Sequence, residues 1–371
     1  MRLDRRRRDR AAPVDLAAAV PRHSVRYDDG MPVRDLLIIG AGPSGLAAAI
    51  AAKRHGLDYQ VIEKGTLVNS IYHFPPQMVF FTTPELLEIG GIPLTSPFEK
   101  PTRAEALRYY RRVMDAFDLQ VSMGEEVVAV SRDDEVDAGE EPSDGAAFAV
   151  ETRSDRGVTR VRHARTVILA IGYYDIPNRL GIPGEDLPHV HHYYGEPHPY
   201  YRKRVVIVGG GNSAAESALE MFRAGVHVTL VHRHAELKST IKYWVRPDIE
   251  NRIREGSIPA RFETRITEIR PNSVVVTSTH AESTAVEELP ADAVFLLIGY
   301  HADWDLMAAA GIELTDRRAP CLDPETFETN VRGLFVAGGA VAGMDTGNIF
   351  IENGRFHGEK IVDAIARRLH A

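Results

Sequence analysis

At 371 residues the chain exceeds the ~250–300 residues that one hydrophobic core commonly supports, so two cores are expected. Hydrophobic residues make up 44% and charged residues 26%, ordinary globular usage that excludes a disordered or membrane-embedded body, and a net charge of −8 argues against a nucleic-acid partner. The single cysteine, Cys321, excludes an internal disulfide and any zinc site built on several thiolates, and it fits a cytoplasmic setting.

In chain order, residues 1–30 carry the basic run Arg5–Arg8 and an Ala-rich stretch broken by Asp15, too interrupted for a secretory signal. They are expected to form a disordered tail, with Met31 just ahead of the first strong strand. Asp35–Gly40 is a short apolar run ending in glycine, the pattern of a parallel strand buried on both faces. A helix is predicted over Pro43–His55 and a second strand over Tyr59–Ile62. Thr102 and Glu105 have the spacing of a capping box, which predicts a helix from there to Phe117. Glu126–Val130 and Ala147–Thr152 read as strands flanking an acidic, exposed hairpin loop over 133–145. Arg165–Gly172 is a further buried strand, and Pro177, Pro183 and Pro188 punctuate a connector where the chain crosses into a second unit. There the pattern restarts, with a strand over Arg204–Gly209, a helix over Ser213–Ala224 and a strand over His227–Val231. Asp292–Gly299 and Leu334–Gly338 are two more buried strands and Asn348–Arg367 a long closing helix, which together bring the chain back to the first unit. No apolar run approaches the ~20 residues of a membrane helix.

Two glycine-rich turns give the repeat its chemistry. Gly40-Ala-Gly42-Pro-Ser44-Gly45 follows a predicted strand and opens a predicted helix, the context in which GxGxxG binds a dinucleotide. Glu63, roughly twenty residues on, ends the second strand, where a carboxylate meets the adenosine ribose. The helix N-terminus turns free N–H groups toward the pyrophosphate. The second turn reads Gly209-Gly-Gly211-Asn212-Ser213-Ala214, and the strand after it ends not in an acid but in His232-Arg233-His234, with Lys238 close behind. An acid repels a 2′-phosphate and a guanidinium clamps one, so NADPH is favoured over NADH at this turn, with FAD at the first. Arg233 and Lys238 also read as an ordinary solvated pair. The fold class expected is α/β, with two Rossmann-like dinucleotide-binding domains of the three-layer ββα type. A discontinuous FAD domain over 31–177 and 298–371 surrounds an inserted NADPH domain over 178–297.

The segments between the turns carry a resemblance. Ala170-Ile-Gly172 with Pro177, and Leu296-Leu-Ile-Gly299, resemble the linkers of low-molecular-weight thioredoxin reductases. More narrowly, Asn69-Ser-Ile-Tyr72 with Phe74-Pro75, Phe80-Phe81, Leu87-Glu-Ile-Gly90, His198-Pro-Tyr200, Ile241-Lys-Tyr-Trp-Val245 and Ile349-Phe-Ile-Glu-Asn-Gly354 resemble the bacillithiol-disulfide reductase family. The resemblance implies NADPH-dependent reduction of a low-molecular-weight disulfide, no membrane association and assembly into dimers or larger homo-oligomers. It also adds Lys64, Asn69, Tyr72, Val127, Gly172, Gly338, Asn348 and Ile349 as FAD contacts, and Gly299 as an NADPH contact. Two departures stand out. Ser44 occupies a position where that family commonly has cysteine, leaving a hydroxyl beside the flavin. Gly339 follows Gly338 where the wider class has aspartate, with Asp345 or Asn348 as candidate substitutes.

Other residues admit plainer readings. Nothing near Cys321 in sequence lowers a thiol pKa, and it is expected to be inert, at the far end of the strand that leads to the flavin. His189, His191, His192 and His198 are candidate proton donors or structural residues at the domain junction, and their spacing lacks the carboxylates or thiolates of a metal site. Lys242, Tyr243 and Trp244 line the nicotinamide face or belong to the core. No catalytic pair is written in the chain. The expected function is an NADPH:FAD disulfide reductase without a Cys-x-x-Cys pair. A ferredoxin or flavodoxin NADP reductase, a flavin monooxygenase and a redox-sensing nucleotide-binding module are the alternatives.

Overall fold

The computed structural model describes residues 26–27, 33–132, 147–278 and 285–370. The expected tail lies outside the described residues except at Arg26–Tyr27, which pair in parallel with Thr159 and Arg160 and so correct a wholly disordered tail. The acidic hairpin loop also lies outside them.

The first sheet grows from apolar runs. Arg34–Ile39 lies between Tyr59–Glu63 and Thr159–Leu169, with Val121–Met123 beyond and Leu334–Val336 returning to pair with Val167–Leu169. These contacts are all parallel. The strand Thr159–Leu169 begins earlier than the predicted Arg165 because its N-terminal half pairs antiparallel with Phe148–Ser154, which in turn pairs with Glu125–Arg132. One strand thus serves two layers. Alternation sends Leu36 and Ile38 toward the helices, and Leu37 and Ile39 toward Phe148, Val150 and Met307. The helix Pro43–His55 ends at Gly56 in the left-handed region, and Arg103–Phe117 starts with the capping box formed by Thr102 and Glu105.

The second sheet is parallel, in the order Ala260–Arg261, His227–Val231, Arg204–Val208, Ala293–Leu296, Val190–His191. Val205 and Ile207 pack on the helix Asn212–Arg223, while Val206 and Val208 pack on the antiparallel strands Thr264–Arg270, Ser273–Ser278 and Val286–Pro290. Ala293–Leu296 therefore stays in the second unit, and the return to the first comes after it, where Tyr300–His301 pairs with Ile176–Pro177. The expected closing helix is interrupted. Phe350 is extended, a short turn spans Ile351–Gly354, and the long helix runs over His357–Leu369. Asn353 makes the break by accepting from the Phe350 N–H at 2.8 Å and donating to the Asn348 carbonyl at 2.9 Å. Among the described residues no helix is long and apolar enough to cross a membrane.

Candidate functional site

A continuous cleft of about 1400 Å³ runs between the two sheets and is lined by both glycine turns. A site for one small ligand is commonly ~300–1,000 Å³, so the cleft has room for more than one. At the first turn Gly40 has φ +106°, and a Cβ there would lie 2.4 Å from the Ala170 carbonyl oxygen. Only glycine closes this turn. A Cβ on Gly42, by contrast, would meet nothing within 4 Å, which leaves the backbone open to a ligand. The helix Pro43–His55 has neither a side-chain cap nor an acid in its first turn, so its N–H groups remain available to phosphate. Glu63 is buried, and its carboxylate accepts from the N–H groups of Ala41 and Gly65, each at 2.8 Å. Burial raises its pKa and these two bonds oppose the rise.

The second turn repeats the arrangement with different electrostatics. A Cβ on Gly209 would lie 2.4 Å from the Leu297 carbonyl oxygen, and the helix Asn212–Arg223 is likewise uncapped. The Lys238 N–H donates to the Gly210 carbonyl at 2.9 Å and anchors the basic segment to the turn. Arg233 and Lys238 are exposed and line the cleft. His232 is buried, its Nε2 has no hydrogen-bond partner, and burial followed by the charges of His234, Arg233 and Lys238 lowers its pKa. An uncapped helix, an unpaired buried ring nitrogen and a cationic rim fit a phosphorylated dinucleotide.

The cleft brings together Gly40, Gly42, Ser44, Glu63, Lys64, Asn69, Val127, Gly172, Gly338 and Ile349 from the first unit, Gly209, Gly211, Asn212, Ser213, His232, Arg233 and Lys238 from the second, and Gly299 at the crossing between them. Four expected contacts do not line it. Gly45 packs beneath Gly40 and Ala214 beneath Gly209, where they close the turns from behind. Tyr72 turns outward, its ring beneath the Arg103 guanidinium. Asn348 lies outside the lining with its backbone carbonyl bonded to Asn353, and the Asp345 carboxylate, also outside it, is tied to Arg317, Nε to carboxylate 2.7 Å. The place of the wider class's aspartate is filled, because a Cβ on Gly339 would lie 2.5 Å from the Tyr173 ring.

Ser44 donates to the Gly354 carbonyl at 3.1 Å, fastening the closing segment to the first turn. Beside it His357, which sequence reasoning missed, accepts from the Gly338 N–H at 3.2 Å and stacks on Phe327 at 4.1 Å. Burial lowers its pKa from 6.5 to about 4. The unfolded chain therefore takes up this proton first as pH falls. Stability contributed by neutral His357 is complete above about 6.5 and declines as pH falls toward about 4. His357→Gln, which keeps an acceptor and loses the titration, is expected to flatten the fall in melting temperature across that window. Parallel melting curves that keep the same pH slope in both proteins would remove His357 as the cause.

The junction histidines do not enter the cleft. His189 contacts the Arg270 carbonyl at 3.1 Å, His191 packs on Phe295, and His192 lies 3.7 Å from Glu185. Among the described residues no three His, Cys, Asp or Glu side chains are grouped to hold a metal. Tyr193 instead joins Tyr174 and Tyr300 in a ring cluster where the chain crosses between units, with centroids 4.6 to 5.3 Å apart. Burial pushes Tyr174 and Tyr193 up to about 12 and raises Tyr300, so these phenols stay neutral. Cys321 is half-buried outside the cleft lining, its N–H bonded to the Glu313 carbonyl.

Residues 37–338 match the family model for pyridine nucleotide-disulphide oxidoreductases. The chain is similar to the bacilliredoxin reductase Bdr of Bacillus subtilis (strain 168), 41% identical over 90% of this chain and 97% of the relative. Among solved structures it resembles the bacillithiol disulfide reductase Bdr (YpdA) from Bacillus cereus, with TM-score 0.84 and 37% identity over 90% of this chain and 99% of that one. It also resembles its counterpart from Staphylococcus aureus, with TM-score 0.82 and 36% identity over 91% and 99%.

Proposed function

The chain belongs to the pyridine nucleotide-disulphide oxidoreductase family and, within it, to the bacillithiol disulfide reductases, and from that membership we propose that it reduces bacillithiol disulfide with electrons from NADPH by way of FAD. One observation carries the reading beyond membership: a single cleft joins both glycine turns, and the only thiol of the chain does not line it. In this reading FAD occupies the first unit, over 31–177 and 298–371, and NADPH the inserted unit, over 178–297. A cytoplasmic setting and assembly as a homo-oligomer belong to the same reading.

Bound FAD supplies two-electron chemistry, which lets hydride from NADPH and a proton convert one disulfide to two thiols. The protein residues bind and orient. Gly42 and the helix N-terminus hold phosphate, Glu63 holds the first turn and the ribose beside it, and Arg233 with Lys238 holds the 2′-phosphate. Ser44 fastens the closing segment. Its hydroxyl is a structural donor and not a nucleophile.

A relay within the chain needs one thiol to attack and a second to resolve the mixed disulfide, and the chain has one. Two routes remain, direct transfer to the bound disulfide or a mixed disulfide between Cys321 and substrate, and the place of Cys321 outside the cleft lining favours direct transfer. Cys321→Ser is expected to retain both NADPH oxidation and disulfide turnover. A variant that reduces its flavin normally but no longer reduces the disulfide would bring Cys321 into the reaction. The test of the function itself is a stopped-flow acceptor screen. NADPH-reduced enzyme is mixed with bacillithiol disulfide, ferredoxin or oxygen, and return of the flavin absorbance is expected to be fastest with the disulfide. Faster recovery with ferredoxin, or a stable oxygenated flavin, would overturn it.

A further inference from the structure

We propose that the cleft contains a subsite for the carboxylate-bearing ends of a small disulfide, formed by Lys100, Lys242, Trp244, Phe81 and Phe350 from both units. The inference rests on the disulfide-reductase reading for its occupant, and on the following geometry for its chemistry.

The two units present the subsite by separate devices. In the first, the Phe80 N–H donates to the Pro101 carbonyl at 2.9 Å, which sets Lys100 alongside Phe81. Phe81 meets Phe350 edge to face, 5.1 Å between centroids. In the second, Asn212 at the start of its helix holds the following loop twice, donating to the Thr240 carbonyl at 3.1 Å and accepting from the Lys242 N–H at 2.9 Å. The sheets thus bring Lys100 Nζ to 3.3 Å from the Trp244 ring centroid, with Lys242 Nζ 5.8 Å from the same ring and 5.7 Å from that of Phe81. All five side chains line the cleft.

Charge decides what this cluster accepts. Lys242 is paired with Glu216 at 2.7 Å, whereas no carboxylate among the described residues lies within ion-pair distance of Lys100. An aromatic face attracts an ammonium group and leaves its outward N–H donors free for a carboxylate. The surrounding rings of Trp244, Phe81 and Phe350 offer apolar area to the carbon chain between carboxylate and sulfur. A positive, aromatic end on a protein of net charge −8 favours anionic ligands locally and repels cationic ones. The contact between Lys100 and Trp244 also spans the two units, so a ligand bound there touches both.

The test uses a matched pair of disulfides with the same spacing from sulfur to end group: dithiodipropionate, with a carboxylate at each end, and cystamine, with an ammonium at each end. The chain has two tryptophans, so Trp304→Phe leaves Trp244 as the sole indole reporter in the FAD-loaded protein. Dithiodipropionate is expected to quench it saturably and at least about tenfold more tightly than cystamine, the difference one charge-assisted contact makes. Lys100→Met should weaken dithiodipropionate about tenfold at unchanged flavin content, and Lys100→Arg should restore it. Equal binding of the two disulfides, or equal binding of dithiodipropionate in Lys100→Met, would overturn the subsite and leave the Lys100–Trp244 contact as a latch between units. Reoxidation of NADPH-reduced enzyme by bacillithiol disulfide tests the underlying reading separately. A parent enzyme that stays reduced ends that reading, while the titration alone decides whether the cluster selects anions.

Discussion

Exchanging Arg233 and Lys238 together for alanine is expected to lower kcat/KM for NADPH by about a hundredfold while leaving that for NADH nearly unchanged. Each contact to the 2′-phosphate is charge-assisted and contributes ~1.5 kcal/mol or more, and each ~1.4 kcal/mol is a factor of ten. The two cofactors differ only at that phosphate, so contacts to the shared pyrophosphate, nicotinamide and ribose cancel in the ratio. The geometry supports a joint effect. Lys238 is fixed to the second glycine turn through the Gly210 carbonyl, and the Arg233 Nε contacts His234 at 3.1 Å, which holds the guanidinium at the rim of the cleft. Single substitutions should each lose about tenfold, and non-additivity between them would show that the phosphate is shared. Steady-state kinetics with both cofactors decide the matter. A double variant whose preference equals that of the parent would place the 2′-phosphate elsewhere.

The second large effect is at Glu63. Its two oxygens accept from Ala41 and Gly65, so the carboxylate joins the first glycine turn to the start of the next loop. Glu63→Ala leaves the buried Ala41 N–H without a partner, at ~1–3 kcal/mol, and the half-buried Gly65 N–H at less, and removes the proposed acceptor for the ribose. FAD should be held at least about a hundredfold more weakly, so that desalted protein emerges largely colourless. Glu63→Gln should fall between, since an amide offers one acceptor where two donors converge. NADPH binding by calorimetry to the flavin-free variant controls for the second unit, whose core clusters separately. A Glu63→Ala protein that keeps its full yellow colour would show that the first turn holds something other than FAD.

Legibility in the sequence tracked how local each feature was. The helix Pro43–His55 and the strand His227–Val231 follow from short-range pattern, because apolar runs, a glycine turn and a following helix are contiguous. The antiparallel strands between Thr264 and Pro290 are not legible by pattern, since the register shift between Ile266 and Glu268 sets Ile266 and Ile269 three residues apart and breaks the two-residue alternation of a strand. The break before His357 was hidden for a different reason. Asn353 makes it by bonding Phe350 and Asn348, and the helix that follows is seated by Gly358 against the first helix, where a Cβ would lie 2.5 Å from the Ala48 nitrogen, a contact across most of the chain. The same holds for Lys100 and Trp244, which no spacing rule connects. Conversely, the dense histidines near residue 190 are adjacent in sequence and disperse in space, each to its own partner.

The two crossings between units meet as neighbouring strands, Ile176–Pro177 beside Tyr300–His301, and Asn178 fastens them through the carbonyls of Gly299 and Ile298. Strands so paired lie ~4.8 Å apart and form a two-stranded sheet of their own, so the chain enters and leaves the inserted unit at a single place. For the outer unit, the whole insertion is equivalent to a long hairpin loop. Its sheet is completed by Leu334–Val336 whatever lies between the crossings, provided that the two ends emerge side by side. Seen as a graft, the inner unit demands of its host only two ends that emerge side by side, so exchange for another unit with adjoining ends is expected to keep the register of the outer sheet and to lose the contact between Lys100 and Trp244.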